Sequence, residues 1–229
     1  KNLGDDFLSL LFPRVCQACG DSLVRNERVL CLNCLADMPF TSYHLAREND
    51  LEKELWGRCY AERMAAMCFY RHGSKVQILM HRLKYYSIKD IGLYLGEMYG
   101  NILRASDFLN DIDFIVPVPL HPSKERKRGF NQSAVIADGI ASACGLELNV
   151  TAFKRIERSS TQTRKSRAER WENVEGIFGV QDPEALSGKH ILLVDDVITT
   201  GSTIESCINT LKDQLDIKVS VIALAVAVQ

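Results

Sequence analysis

Apolar runs alternate with amphipathic stretches through most of this chain, and the alternation predicts its secondary structure. Short apolar runs that predict β-strands cover residues 64–71, 113–120, 146–153, 189–196 and 217–228. Apolar residues recur every three or four positions over 87–104, from Asn131 to Gly145, and over 202–215, which predicts three helices. Apolar strands that alternate with such helices are typical of an α/β fold, with a parallel sheet covered by helices on both faces. Ligands of such sheets bind at the carboxyl ends of the strands.

Four of the eight cysteines form two closely spaced pairs near the start of the chain. The pairs are Cys16-x-x-Cys19 and Cys31-x-x-Cys34, with eleven residues between them. This spacing predicts a closed, structural zinc site with four thiolate ligands. Two disulfides are the alternative, but thiols in the cytosol are kept reduced. We therefore expect a zinc-binding module and linker over residues 1–60 and a larger domain over residues 61–229.

Charge and hydropathy limit the function classes. The chain has 28 Lys and Arg against 29 Asp and Glu, a formal net charge of -1, which argues against wholesale coating of a polyanion. The longest apolar runs are too short to cross a bilayer, and the start does not resemble a signal peptide. We expect a soluble, cytoplasmic protein without membrane insertion.

Two acids and a run of hydroxyl residues follow the apolar core of the strand at 189–196. The acids are Asp195 and Asp196, and the loop after them contains Thr199, Thr200, Gly201, Ser202 and Thr203. Backbone N–H groups at a helix start attract phosphate, glycine allows close approach, and adjacent carboxylates accept hydrogen bonds from neighbouring hydroxyls. A sugar phosphate satisfies both halves of this arrangement. A helix-capping turn after a core strand is the alternative.

Other phosphate-binding motifs fit this stretch poorly. It lacks the lysine of a Walker A loop and the additional glycines of a dinucleotide fingerprint. Receiver domains also begin with paired acids, but only 33 residues follow Asp196, too few for the rest of that fold.

The stretch "ILLVDDVITTGST" resembles the phosphoribosyl pyrophosphate (PRPP) fingerprint of type I phosphoribosyltransferases. The resemblance implies that Asp195 and Asp196 bind the ribose hydroxyls, that residues 199–203 bind the 5′-phosphate, and that Mg²⁺ accompanies PRPP. Together with the cysteine pairs, "VPVPLHPSKERKRGFNQS" and "TQTRKSRAERWENVEGIF", the chain is similar to the ComF family of competence-related proteins. That similarity implies a zinc ribbon-like head joined to a type I phosphoribosyltransferase-like domain.

The first basic segment, 124–128, follows the predicted strand at 113–120. The resemblance implies that a loop here binds the pyrophosphate of PRPP, and the candidate contacts are Lys124, Arg128, Asn131 and Gln132. A solvated run of charge is the alternative.

The second basic segment, from Lys154 to Arg170, has seven basic residues against two acids and no apolar period. We expect a mobile loop that closes over PRPP and excludes water, with Arg164, Lys165, Arg167 and Arg170 as candidate contacts. Contact with nucleic acid and a plain surface loop are the alternatives.

These features predict a PRPP-binding protein that transfers a phosphoribosyl group to an unidentified small-molecule acceptor and releases pyrophosphate. The family resemblance associates it with competence and DNA uptake, and with single-stranded DNA or proteins of the competence machinery as further partners. A non-enzymatic protein that binds single-stranded DNA is the alternative function. Aromatic residues, at 8% of the chain, are not interleaved with the basic runs, which speaks against stacking of bases.

Overall fold

The computed structural model describes residues 14–156 and 177–228. A 3-10 helix spans Tyr43–Leu45. The α-helices are α1 Leu32–Ala36, α2 Asp50–Leu55, α3 Lys75–Tyr85, α4 Lys89–Arg104, α5 Pro122–Arg128, α6 Gln132–Cys144, α7 Pro183–Leu186 and α8 Ser202–Gln214. The strands are β1 Met64–Tyr70, β2 Phe114–Pro117, β3 Glu147–Leu148, β4 Phe153–Arg155, β5 Phe178–Val180, β6 His190–Ile198 and β7 Lys218–Ala227.

Five strands form one parallel sheet in the order β1-β7-β6-β2-β3, and β4 and β5 form a separate antiparallel pair. Successive side chains of β6 pack on opposite faces: Leu192 and Val194 on one face, Ile191 and Leu193 on the other. Both faces are therefore buried, which explains why the strand is an unbroken apolar run in the sequence.

Helices cover both faces of the sheet, as predicted. The buried residues of α3, α4 and α6 pack on one face, and those of α2, α7 and α8 pack on the other. Helices α4 and α6 approach so closely that a Cβ atom on Gly96 would overlap the carbonyl oxygen of Ile136. The predicted fold class is confirmed by this architecture.

The cysteine-rich head packs against the same core as the sheet. Cys16, Leu30 and Cys31 are buried in one cluster with residues of α3 and α4. Polar contacts also join the head to these helices: Arg28 lies 2.5 Å from Glu97, Lys75 lies 2.8 Å from Asp37, and Arg82 donates to Gln17 at 2.9 Å. The boundary between residues 60 and 61 stays a prediction.

Two local predictions were wrong. The basic segment containing Lys124 and Arg128 is helix α5 and not a loop, because His121 caps its start, Pro122 occupies its first turn and Gly129, at φ +80°, ends it. The single strand predicted over 146–153 is divided between β3 and β4. Helix α3, which has no counterpart among the predicted helices, covers residues 75–85.

No helix within 14–156 or 177–228 combines the length and apolar character that a membrane span requires.

Candidate functional site

The two acids of the fingerprint lie in the second half of β6, towards the carboxyl end of the sheet. Asp195 pairs with Ala223 of β7 and is 9% exposed. Its Oδ1 atom accepts hydrogen bonds from the backbone N–H of Asp196 at 2.8 Å and from the hydroxyl of Ser133 at 3.1 Å. The strand continues two residues beyond the acids, so the backbone that carries both carboxylates belongs to a regular strand.

The environment of Asp195 disfavours its charged form. Burial, and then the neighbouring charge of Asp196, raise the pKa of the Asp195 carboxyl to about 7. A buried acid with a strongly raised pKa, at the ligand-binding edge of a parallel sheet, is a frequent feature of functional sites.

Lys84, from the last turn of α3, provides the counter-charge. Its ammonium nitrogen lies 2.8 Å from Oδ2 of Asp196, and the two side chains are 22% and 13% exposed. Sequence reasoning missed both Lys84 and Ser133. No local motif connects either residue to the acids, and only the packing of α3 and α6 onto the sheet brings them together.

The hydroxyl loop connects β6 to α8. Thr199, Thr200, Ser202 and Thr203 are exposed, and the Thr200 and Ser202 hydroxyl oxygens are 3.1 Å apart. Gly201 occupies the N-cap position of α8 and provides no side-chain cap, so the N–H groups of the first turn remain free for a ligand. This helix start offers donors and a positive dipole end to an anion.

Gly201 is required at its position for two reasons. Its φ angle is +72°, in the left-handed region, and a Cβ atom there would overlap the side chain of Leu55. The close fit places α2 directly beneath the loop.

The candidate pyrophosphate contacts divide into two groups. Lys124 is exposed on α5, and Arg128 at its end donates to Oε1 of Gln132 at 2.6 Å. Asn131 caps α6: its side-chain oxygen accepts from the N–H of Ser133, and its Nδ2 donates to the carbonyl of Val118. Asn131 thus fixes the helix start that carries Ser133 to Asp195, and Gln132 is buried.

The other four basic candidates, Arg164, Lys165, Arg167 and Arg170, lie outside the described residues. Their role as a closing loop stays a prediction.

A cavity of about 630 Å³ lies between α5, α6, β3 and β4. Its wall combines apolar groups such as Phe130 and Phe153 with charged groups such as Asp138 and Lys154. Asn131 also belongs to this wall, so the cavity adjoins the same end of the sheet as the acids.

The four paired cysteines meet in one cluster. Cys16, Cys19, Cys31 and Cys34 have all four sulfurs within 4.8 Å of one another, and the Cys19 and Cys31 sulfurs are 3.8 Å apart. A tetrahedral zinc ion with bonds of about 2.3 Å to sulfur separates its ligands by nearly this distance. Backbone N–H groups of Ala18 and Cys31 point at the Cys16 sulfur at 3.5 and 3.4 Å, as expected for a thiolate. The cluster can hold a metal ion and is consistent with a small zinc module.

Comparisons of the sequence agree with this architecture. The family model for the phosphoribosyl transferase domain matches residues 127–229. The DNA utilization protein YhgH of Salmonella typhimurium is 29% identical over 201 residues, 86% of this chain and 83% of the relative. Competence protein F of Haemophilus influenzae is 24% identical over 198 residues, 82% of this chain and 86% of the relative. Competence protein ComFC of Streptococcus pneumoniae is 39% identical over 97 residues, 41% of this chain and 39% of the relative.

Solved structures with a similar backbone include an allosteric regulatory enzyme of purine biosynthesis. It is 18% identical, with a TM-score of 0.44, and the alignment covers 62% of this chain and 29% of that chain. Glutamine PRPP amidotransferase from B. subtilis is 19% identical, with a TM-score of 0.43 and coverage of 62% and 30%.

Proposed function

Because the chain belongs to the ComF family of phosphoribosyltransferase-like proteins, we propose that it binds PRPP and Mg²⁺ and transfers the phosphoribosyl group to an acceptor. One observation is the main support for this proposal. Two adjacent carboxylates, Asp195 and Asp196, lie near the carboxyl end of β6, next to a helix start whose N–H groups have no side-chain cap.

The two halves of the site match the two ends of a ribose 5-phosphate unit. Asp195 and Asp196 provide acceptors for vicinal ribose hydroxyls, which need two neighbouring oxygens. The loop 199–203 provides hydroxyl donors and free N–H groups for the 5′-phosphate. Lys84 forms an ion pair with the Asp196 carboxylate, so ribose binding would require Lys84 to share or release that carboxylate.

The pyrophosphate of PRPP needs positive charge as the bond at the anomeric carbon breaks. The residues suited to this task are on α5, a short helix with three basic residues in its last turn. Lys124 is exposed, and Arg128 is half-buried beside Gln132. Mg²⁺, when bound to the pyrophosphate, would add charge neutralisation. Catalysis would then come mainly from positioning and electrostatic stabilisation.

The acceptor would attack the anomeric carbon as pyrophosphate leaves. The cavity between α5, α6, β3 and β4 is a candidate site for it, because it opens at the same end of the sheet and is large enough for a small ring compound. Its mixture of aromatic, acidic and basic groups suits a polar aromatic acceptor.

Calorimetric titration with PRPP, with and without Mg²⁺, tests this function. Wild-type protein should bind saturably, Mg²⁺ should strengthen binding, and the Asp195→Asn/Asp196→Asn variant should bind far more weakly while keeping its far-ultraviolet circular dichroism spectrum. Equal affinity in the two proteins would overturn the assignment of the acids. Bound PRPP would justify a screen of bases and amines for pyrophosphate release.

Binding of single-stranded DNA is a second candidate function, and one surface favours it. Tyr85 and Tyr86 are 64% and 68% exposed, and the tilted ring of His81 lies near both, at 4.7 and 5.7 Å between centroids. The guanidinium of Arg128 lies 5.6 Å from the Tyr85 ring centre. Exposed rings beside cations can stack unpaired bases and neutralise phosphates. The sequence argued against a base-stacking surface, because these rings and the basic helix α5 are separated along the chain.

The second candidate predicts affinity for oligothymidylate that falls steeply with salt. Replacing both Tyr85 and Tyr86 by alanine should weaken binding at every salt concentration without changing the salt slope. The matched control is Tyr60→Ala, since Tyr60 is equally exposed at 64% but lies near α8. Equal losses in the control and the double variant would reject this surface.

We further propose that the ion in the head is structural zinc. All four ligands would be thiolates, which leaves no open coordination position. A link to the competence machinery is proposed because competence protein F and competence protein ComFC are among the relatives.

A further inference from the structure

A short segment outside the matched phosphoribosyl transferase region packs against the hydroxyl loop from its outer side. Residues 55–60 run from the last residue of α2, Leu55, towards β1 and are far from residues 127–229 in sequence. Leu55 contacts Gly201 so closely that no Cβ would fit between them. The lysine Nζ of Lys212 lies 4.2 Å from the ring centre of Tyr60. The segment therefore contacts both the loop and the helix that follows it.

Arg58 is the centre of this contact. Its Nη1 donates to the carbonyl oxygen of Thr200 at 3.0 Å, and its Nε and Nη2 donate to Oε2 of Glu205 at 3.0 and 2.6 Å. Its own carbonyl accepts from Nδ2 of Asn209 at 3.5 Å. One side chain thus joins the loop backbone to the first turn of α8.

The contact with Thr200 determines the orientation of a peptide unit in the loop. The peptide group is planar and trans, so its C=O and N–H bonds point in opposite directions. When Arg58 holds the Thr200 carbonyl outward, the N–H of Gly201 is held on the opposite side, away from Arg58. Held in this way, the N–H of Gly201 would be available to an anion together with the uncapped N–H groups of the first turn of α8. A free loop with glycine at its centre would have to order this peptide unit on binding.

We propose that Arg58 is a positioning residue that fixes the hydroxyl loop for the 5′-phosphate of the sugar phosphate. It acts through the Thr200–Gly201 peptide and need not touch the ligand. The proposal rests on the proposed PRPP function and adds to the site a residue from the segment between the head and the sheet.

The test compares two ligands that use different halves of the site. Ribose 5-phosphate needs the hydroxyl loop, whereas Mg²⁺-pyrophosphate needs the region of α5. Arg58→Met keeps the length of the aliphatic stem but loses the guanidinium donors. We expect it to weaken ribose 5-phosphate and PRPP by the same factor, roughly tenfold, with pyrophosphate affinity unchanged. Arg58→Lys keeps one donor for Thr200 and should recover part of the loss.

Two controls separate positioning from general stability. Arg28→Met removes an exposed ion pair to Glu97 on the opposite side of the sheet and should leave all three ligands unaffected. Glu205→Gln keeps an acceptor for Arg58 but loses its charge, and should weaken ribose 5-phosphate less than Arg58→Met does.

Three outcomes oppose the proposal, and they are distinguishable. Unchanged ribose 5-phosphate affinity in Arg58→Met, with a wild type that binds PRPP, overturns the role of Arg58 alone. Equal losses for ribose 5-phosphate and pyrophosphate assign Arg58 a purely structural role. A wild type that binds neither PRPP nor ribose 5-phosphate overturns the proposed function and this inference together.

Discussion

The ammonium group of Lys84 lies 2.8 Å from Oδ2 of Asp196, so one carboxylate of the candidate site already forms an ion pair within the protein. The pair is mostly buried, at 22% and 13% exposure. Removing one partner of such a pair leaves the other charge poorly solvated, which costs more than the net value of the pair.

Lys84→Met should therefore destabilise the protein by about 2 kcal/mol in urea unfolding. The double variant Lys84→Met/Asp196→Asn should recover much of this loss, because it removes the uncompensated carboxylate as well. A double variant that is as unstable as the sum of the two single variants would contradict this account. Lys189→Met, which breaks a more exposed pair with Asp113, is the control and should change stability by less than about 1 kcal/mol.

Replacing Asp195 should stabilise the protein while it weakens PRPP binding. Burial, and then Asp196, raise the pKa of this carboxyl from its usual value to about 7 in the folded state. The folded protein thus holds the proton more tightly than the unfolded chain, and stability falls as pH rises between about 4 and about 7. Asp195→Asn removes that fall, since an amide does not ionise in this range.

The expected gain is roughly 4 kcal/mol at pH 8 and near zero at pH 4. Thermal unfolding of both proteins across this range measures it. A constant difference between the two proteins at all pH values would show that Asp195 does not titrate there. PRPP affinity of the wild type should rise over the same interval, as the carboxylate forms.

Gly201→Ala should lower both stability and sugar-phosphate affinity. The φ angle of +72° disfavours any side chain, and a Cβ atom would overlap Leu55. We expect a loss of about 2 kcal/mol in the free energy of unfolding. Gly145→Ala is the matched control: Gly145 has φ +78° but no atom within 4 Å of the added Cβ, so it tests backbone strain without overlap. Similar losses in the two variants would mean that the contact with Leu55 contributes little.

Loss of the metal ion should destabilise the rest of the protein as well as the head. Cys34→Ser should abolish the bound zinc, as measured by metal analysis, and should lower the temperature of unfolding of the main transition. The reason is that the head cysteines share a buried cluster with α3 and α4. Cys144→Ser is the control, because Cys144 is half-buried at the end of α6 and is not one of the four clustered cysteines. An unchanged main transition after zinc loss would show that the head and sheet unfold independently.

The sequence predicted the elements whose pattern is local. Strand β6 and helix α8 follow from an apolar run and a regular helical period, and Asn131 and Gly145 correctly marked the ends of α6. Helix α5 was missed because its residues have no apolar period and its capping residue, His121, is unusual at that position.

The residues that complete the candidate site could not be predicted in the same way. Lys84, Ser133 and Arg58 reach the acids and the hydroxyl loop from three different elements, and each contact depends on how those elements pack. A lysine at the end of an amphipathic helix looks like any solvated charge in the sequence. The fingerprint identified the part of the site that is continuous in the chain, and packing supplies the rest.

The pairing of β1 with β7 has a consequence for how the chain folds during synthesis. The strand order places β1 against β7, so β1 gains its neighbour in the five-stranded sheet only after residues 218–227 have been synthesised. Until then β1, Met64–Tyr70, is paired only through the bridge between Phe40 and Cys68, and its other edge can associate with other nascent chains. The head can bind its metal early, because all four cysteines have emerged long before β7. Slow translation of the second half would therefore prolong the interval in which this protein is most prone to aggregate.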